Sequence, residues 1–138
     1  MTDLLRVYQF RDRDRLGYYG LTITQHYVLD ILIQQGPLTL NELVAEMGLD
    51  KSTLSRVLDV LERKHAARRV ANPADGRSTL IEVTRSGREK RGRAVADLVA
   101  ENAVVLSTFA RGTRRRFVDL IAALTSAARR RQLERMNE

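Results

Sequence analysis

Lys51, Ser52, Thr53, Ser55 and Arg56 crowd hydroxyls and cations into about one and a half helical turns. Short hydroxyls and a guanidinium neither attack nor relay protons on their own. They donate and accept hydrogen bonds, and the partners that match them are phosphate oxygens and the polar edges of bases. Hydroxyl residues are mediocre helix formers, so three of them at a helix start contribute nothing to a core. A second feature lies further on. Pro73-Ala74-Asp75-Gly76-Arg77-Ser78 separates two short runs with apolar and polar alternation, Arg68–Ala71 and Thr79–Val83. Asp-Gly between strand-like runs predicts a hairpin, on the expectation that Gly76 supplies a positive φ, and it leaves an arginine at the tip. Each feature has a plain alternative. Ser52 and Thr53 serve equally as caps of a solvated helix start, and a turn arginine is common.

Other chemistries are poorly supplied. The 138 residues contain no cysteine and only two histidines, His26 and His65. That removes disulfides, thiol redox sensing and cysteine zinc sites. No glycine-rich phosphate loop, Gly-x-Ser-x-Gly or His-Glu-x-x-His motif is present, so no enzyme, no cofactor and no metal site are expected. His26 beside Tyr27 reads as a packed histidine, since no Asp or Glu partners for a metal can be identified. No window approaches the run of about 18 apolar residues that a membrane span needs, and the N-terminus lacks a signal-like pattern, so a soluble cytoplasmic chain with no membrane partner is expected.

The formal net charge is +7. Residues 1–36 and 37–83 are each neutral, and the whole excess lies in 84–138. Net charge therefore does not single out the segment with the hydroxyl cluster; pattern must. Arginine outnumbers lysine 21 to 3, which base composition of the genome explains as readily as phosphate chemistry.

The elements that must hold these residues follow from periodicity. Residues 3–16 predict a first helix, with Gly17 and Gly20 bracketing a loop. Thr22 or Thr24 caps a second helix to about Gln35, apolar around much of its circumference and so central in a core; Gly36-Pro37 stops it. Thr39-x-x-Glu42 is a capping box for a short helix that buries Leu40, Leu43, Val44 and Met47 and ends at Gly48. Asp50 caps the next, to about Lys64, with Leu54, Val57, Leu58 and Leu61 inward. Two such helices joined at Gly48-Leu49 make a helix-turn-helix, and the hairpin after it makes a wing. In that layout Arg77 enters a minor groove, with Asp75 holding its guanidinium.

Leu21–Leu32, Gly36–Lys64 and Pro73–Arg88 together resemble the MarR family of bacterial winged-helix transcriptional regulators over roughly residues 21–93. The resemblance rests on L-x-x-S/T-x-x-S-R-x-x-x-x-L from Leu49 to Leu61, the Asp75-x-Arg77 wing and the Thr84-x-x-Gly87 opening of the following helix. It implies a homodimer on a pseudo-palindromic operator in double-stranded DNA. Ser52, Thr53, Ser55 and Arg56 then fall at groove-reading positions, and Asp75 with Arg77 at the wing tip. Lys51 joins them at the helix start, and Arg85 and Arg88, in the basic cluster after the wing, are candidates for flanking phosphates.

The expected architecture is mainly α with a small β-hairpin wing (α+β). An N-terminal helix (residues 1–20) contributes to a dimer interface. A winged helix-turn-helix domain follows at 21–83, with its recognition helix at about 50–64 and its wing at about 67–83. Long dimerisation helices fill 84–138, the first capped by Thr84 and ending near Gly112. Their stripes, Val95, Leu98, Val99, Val105, Leu106 and then Phe117, Leu120, Ile121, Leu124, have little to pack against in so small a chain except a second copy. The family also implies a small-molecule pocket. Tyr8, Tyr18, Tyr19, His26 and Tyr27 are candidates for a small aromatic effector, although core packing accounts for them as well. Two functions remain: an operator-binding regulator, with repression needing nothing beyond occupancy, and a winged-helix protein-interaction module that does not read DNA. The exposed hydroxyl-arginine edge with Arg77 discriminates them, because protein binding has no evident need of it.

Overall fold

The computed structural model describes residues 2–136; residues 137 and 138 of the expected C-terminal helical segment lie outside the described residues. The chain divides into two compact units, Met1–Leu98 and Val99–Glu138.

The first unit contains α1 (Thr2–Tyr18), α2 (Ile23–Gln35), β1 (Leu38–Thr39), α3 (Leu40–Met47), α4 (Lys51–Arg63), β2 (Ala67–Ala71), β3 (Thr79–Val83) and most of α5 (Arg85–Ser107). The fold is mainly helical with one small antiparallel sheet, a winged helix-turn-helix. The sheet runs β1-β3-β2, with Leu38 opposite Ile81 and Ala67 opposite Val83. The two-residue β1 was not expected from sequence; it is too short to show alternation. α2 packs on α1, α3, α4 and β3, and its Val28, Leu29 and Leu32 are fully buried. It is central, as its apolar circumference predicted. Leu43 of α3, Leu54, Leu58 and Leu61 of α4, and Ile81 of β3 complete the same core.

Helix ends are fixed by local chemistry. Thr22, Thr39 and Asp50 cap α2, α3 and α4, the first two in capping boxes with Gln25 and Glu42. α1 continues through Gly17 to Tyr18, contrary to the expected break there. The amides of Gly20 and Leu21 donate to the carbonyls of Gly17 and Leu16, and Gly20 takes φ 67°, which is a Schellman ending with Leu16 and Leu21 as its buried apolar pair. α4 ends the same way, with Ala66 N–H donating to Leu61 O and His65 N–H to Glu62 O. Here the left-handed residue is His65, φ 52°, rather than glycine.

The wing tip differs from the expected tight Asp-Gly turn. Ala71 pairs with Thr79, so residues 72–78 form the connection, and Gly76 has no positive φ. Two successive turns, closed by Asp75 N–H to Asn72 O and Ser78 N–H to Asp75 O, do the reversal. The Asn72 and Asp75 side chains each accept from the amide two residues on, so polar side chains supply the curvature assigned to glycine.

α5 starts where Thr84 Oγ1 accepts from Gly87 N–H at 3.0 Å and donates to His65 O at 2.6 Å. A Cβ built on Gly87 would lie 2.0 Å from Ala66 O, so only glycine permits this approach of α5 to the β2 entrance.

The second unit holds the end of α5 and α6 (Arg111–Met136). α5 stops at Ser107, earlier than expected, and Gly112 lies in the first turn of α6. The hydroxyls of Ser107 and Thr108 donate to Val104 O and Val105 O, and the amides of Thr108 and Phe109 close tight turns, so local bonds compete with helix continuation. α6 exposes Phe117, Val118, Leu120, Ile121 and Leu124.

Candidate nucleic-acid interface

α4 is two-faced because its leucines recur at three- and four-residue spacing. Leu54, Leu58 and Leu61 face the core, so Lys51, Ser52 and Arg56 are left exposed and Thr53 and Ser55 half-buried at its edge. Two further contacts hold the helix in place. Lys64 Nζ donates to Gly20 O at 2.6 Å and to Gln25 Oε1 at 3.0 Å, tying the end of α4 to the corner between α1 and α2. Partial burial, then the charges of Lys90 and Arg63, push the Lys64 pKa down from its ordinary value. At the other end Asp50 accepts from Thr53 N–H at 2.8 Å and from Ser52 Oγ at 2.6 Å. The Ser52 hydroxyl and then the Thr53 groups hold the Asp50 carboxyl well below the usual carboxylate range. Ser52 has thereby committed its proton, and what it offers outward is a lone pair.

Asp75 and Arg77 are both exposed at the wing tip. Asp75 accepts from the Arg77 backbone N–H at 3.0 Å, so it shapes the turn instead of holding the guanidinium as expected. Among the described residues no partner is recorded for the guanidinium of Arg77 or of Arg56. Arg85 is exposed but paired with Glu89 at 2.9 Å, one helical turn on; Arg88 is exposed without a recorded side-chain partner.

Two wing arginines were missed by the sequence reading. Arg68 pairs with Glu82 directly across the strands. Arg69 reaches α4, where it holds Asp59 at 2.9 Å and also Glu62, whose Oε1 accepts the Arg69 backbone N–H at 3.1 Å. Sequence carried a partial signal, two carboxylates at i and i+3 on a helix with a strand arginine soon after, but not the geometry that joins them.

A cavity of about 430 Å³ lies at α1, α2 and Leu98, lined by Phe10, Leu16, Ile23, His26 and Tyr27 with the polar Gln9, Asp12 and Arg13. Of the five aromatic candidates only His26 and Tyr27 reach it. Tyr8 lies under the Arg11 guanidinium, Tyr18 is exposed with its ring edge-on to Tyr19, and Tyr19 donates to Asp97 of α5. That bond raises the Tyr19 pKa. His26 Nδ1 is buried without a hydrogen-bond partner, and burial, followed by the charge of Arg91, lowers its pKa. Among the described residues no group of three or more His, Asp or Glu is placed to hold a metal ion, and no helix is long and apolar enough to cross a membrane.

A helix-turn-helix whose second helix buries its leucines and turns a hydroxyl-arginine edge outward, followed by a β-wing, defines a winged-helix protein. Residues 19–78 match the MarR family. The chain is 32% identical over 89 residues to YxaD of Bacillus subtilis, an uncharacterized HTH-type transcriptional regulator, covering 64% of this chain and 62% of YxaD. It thus spans less than two thirds of the length of that curated relative. Among solved structures, YusO of Bacillus subtilis is 25% identical with a TM-score of 0.80, covering 91% of this chain and 89% of its own. The PcaV transcriptional regulator of Streptomyces coelicolor, determined in complex with its natural ligand, is 28% identical with a TM-score of 0.64, covering 91% of each chain.

Proposed function

We propose that this chain is a sequence-specific DNA-binding transcriptional regulator, a binding protein and not an enzyme, that represses by occupying a pseudo-palindromic operator as a homodimer in the cytoplasm. The observation that carries the reading is the outer edge of α4. Lys51, Ser52 and Arg56 are exposed, with Thr53 and Ser55 at the edge, on a helix whose other side buries Leu54, Leu58 and Leu61, which is how a major-groove helix must be divided. Arg77 on the exposed wing tip reaches the minor groove, and Arg88, with Arg85 when it leaves Glu89, meets flanking phosphates. Homodimerisation is supported by apolar faces left open in both units: Leu4, Leu5, Val7 and Phe10 on α1, and the Phe117–Leu124 face of α6. The cavity beside His26 and Tyr27 is of a size for a small effector, and it is lined by α2, which also packs on α4.

Fluorescence anisotropy with the upstream promoter duplex and a scrambled duplex tests the reading, with Arg56→Ala and Arg77→Ala alongside. Tight binding to the promoter should fall linearly in log–log with salt, by about 0.9 per phosphate neutralised, and weaken in both variants while their unfolding midpoints stay in place. Failure to bind even a pool of random-sequence duplexes would overturn the reading in favour of a protein-interaction module.

A further inference from the structure

On α4, Asp59 follows Ser55 by four residues and Arg56 by three, the two spacings at which helical side chains meet. An unpaired carboxylate there would have two effects on an anionic partner. It would draw in the Arg56 guanidinium as an i,i+3 pair, and it would repel phosphates passing over the same face. In the structure Asp59 is not unpaired. Arg69, arriving from β2, holds Asp59 with one nitrogen of its fork at 2.9 Å and Glu62 with the other. Both acids on the outer face of α4 are thereby occupied by a residue from another element, and Arg56 is left with no recorded partner. The triad is only part-exposed: the side chains of Arg69, Asp59 and Glu62 show 36%, 48% and 30% of their surface. Their mutual attraction is therefore less screened than that of a fully solvated pair.

We propose that Arg69 is a positioning residue for DNA recognition: by clamping Asp59 and Glu62 it keeps Arg56 free to contact DNA and offsets one of their two negative charges on the recognition face. This rests on the DNA-binding reading above. The arginine is suited because its planar fork presents separate nitrogens to the two carboxylates in a fixed geometry, whereas an ammonium is a single point of charge on a flexible stem.

The test uses the full-length chain and its operator, or the best duplex from the random pool, at constant salt. Arg69→Met keeps the aliphatic stem and removes the clamp; its folding is checked by far-UV circular dichroism and a urea midpoint, with Arg69→Lys as the milder substitute if it does not fold. Binding should weaken about tenfold, the scale of one misplaced charge near an interface. Adding Asp59→Asn should restore affinity to within about twofold of the parent, because the captor of Arg56 is gone. Adding Glu46→Gln, which returns the same net charge from an exposed site on α3, should not. Loss of affinity without rescue by Asp59→Asn means that Arg69 only braces the wing, and equal rescue by Glu46→Gln means that only net charge matters; either result, or an unweakened Arg69→Met, overturns the proposal. Binding by the parent protein decides the underlying reading separately, and if the parent binds no DNA both fall.

Discussion

Replacing Gly87 with alanine adds one methyl group at a place where two backbones nearly touch. The new Cβ would sit 2.0 Å from Ala66 O, 2.8 Å from Ala66 C and 3.0 Å from Val83 Cγ2. Ordinary contact begins at 3.4 Å, so α5 and the β2 entrance must separate by about 1.4 Å. The obstacle is backbone, and no rotamer change relieves it. Separation breaks Thr84 N–H to Ala66 O, now 3.1 Å, and Thr84 Oγ1 to His65 O, now 2.6 Å. Two hydrogen bonds at about 1 kcal/mol each, with about 1–3 kcal/mol of overpacking, outweigh the roughly 1 kcal/mol that alanine gains over glycine in a helix. The net expectation is a loss of about 2–4 kcal/mol. Gly92, five residues along the same helix, has nothing within 4 Å of its virtual Cβ, so Gly92→Ala should stabilise by about 0.5–1 kcal/mol. Urea denaturation followed by circular dichroism, with matching m-values, reads both variants. If the Gly87 variant loses less than about 1 kcal/mol, the close approach does not constrain this junction.

Three further outcomes follow from the same unit. Leu58→Ala, at a site 1% exposed, should cost about 2–5 kcal/mol, and a loss below about 1 kcal/mol in urea would mean that α4 does not bury this face. His65→Gly should stabilise by about 1 kcal/mol, because it removes a Cβ from a left-handed residue while keeping the carbonyl that Thr84 uses; an unchanged or lowered midpoint would contradict the strain. His26 has a folded-state pKa below its ordinary 6.5, so between those two values the unfolded chain binds more protons. Stability should therefore be full above pH 6.5 and decline as pH falls through that window, and His26→Gln should flatten the decline; parallel pH profiles for the two proteins would exclude His26 as the cause.

Local structure was legible because its causes are local. Thr39-x-x-Glu42 and Asp50 fixed helix starts, Gly48 a helix end, and leucine spacing the buried side of α4, each within a few residues. Where the sequence reading went astray, two local solutions competed. Gly17 and Gly20 predict a loop between them, and the Schellman bonds need only Gly20. Asp-Gly suggested a tight turn, but the Asn72 and Asp75 side chains build a longer one. Gly112 predicts a stop, whereas the Ser107 and Thr108 hydroxyls end α5 first.

The candidate site was legible in residue type and less so in availability, because availability depends on partners far along the chain. Counting cations on this sequence overstates what can meet an anion. Arg69 is spent on two acids of α4, Arg68 on Glu82, Arg85 on Glu89, Lys64 on Gly20 and Gln25, and Arg91 on Asp30 of α2. Apart from the i,i+4 pair Arg85–Glu89, these contacts join residues up to 61 positions apart, and no periodicity reveals them. The same holds for the aromatic candidates: four tyrosines in 27 residues suggested one cleft, yet packing sends only Tyr27 there, with His26. Arg56 and Arg77 differ from the paired arginines in where their acids are. Asp59 is occupied by Arg69, and Asp75 turns its carboxylate to the backbone, so in both places a carboxylate close in sequence has been diverted from the guanidinium it would otherwise have captured.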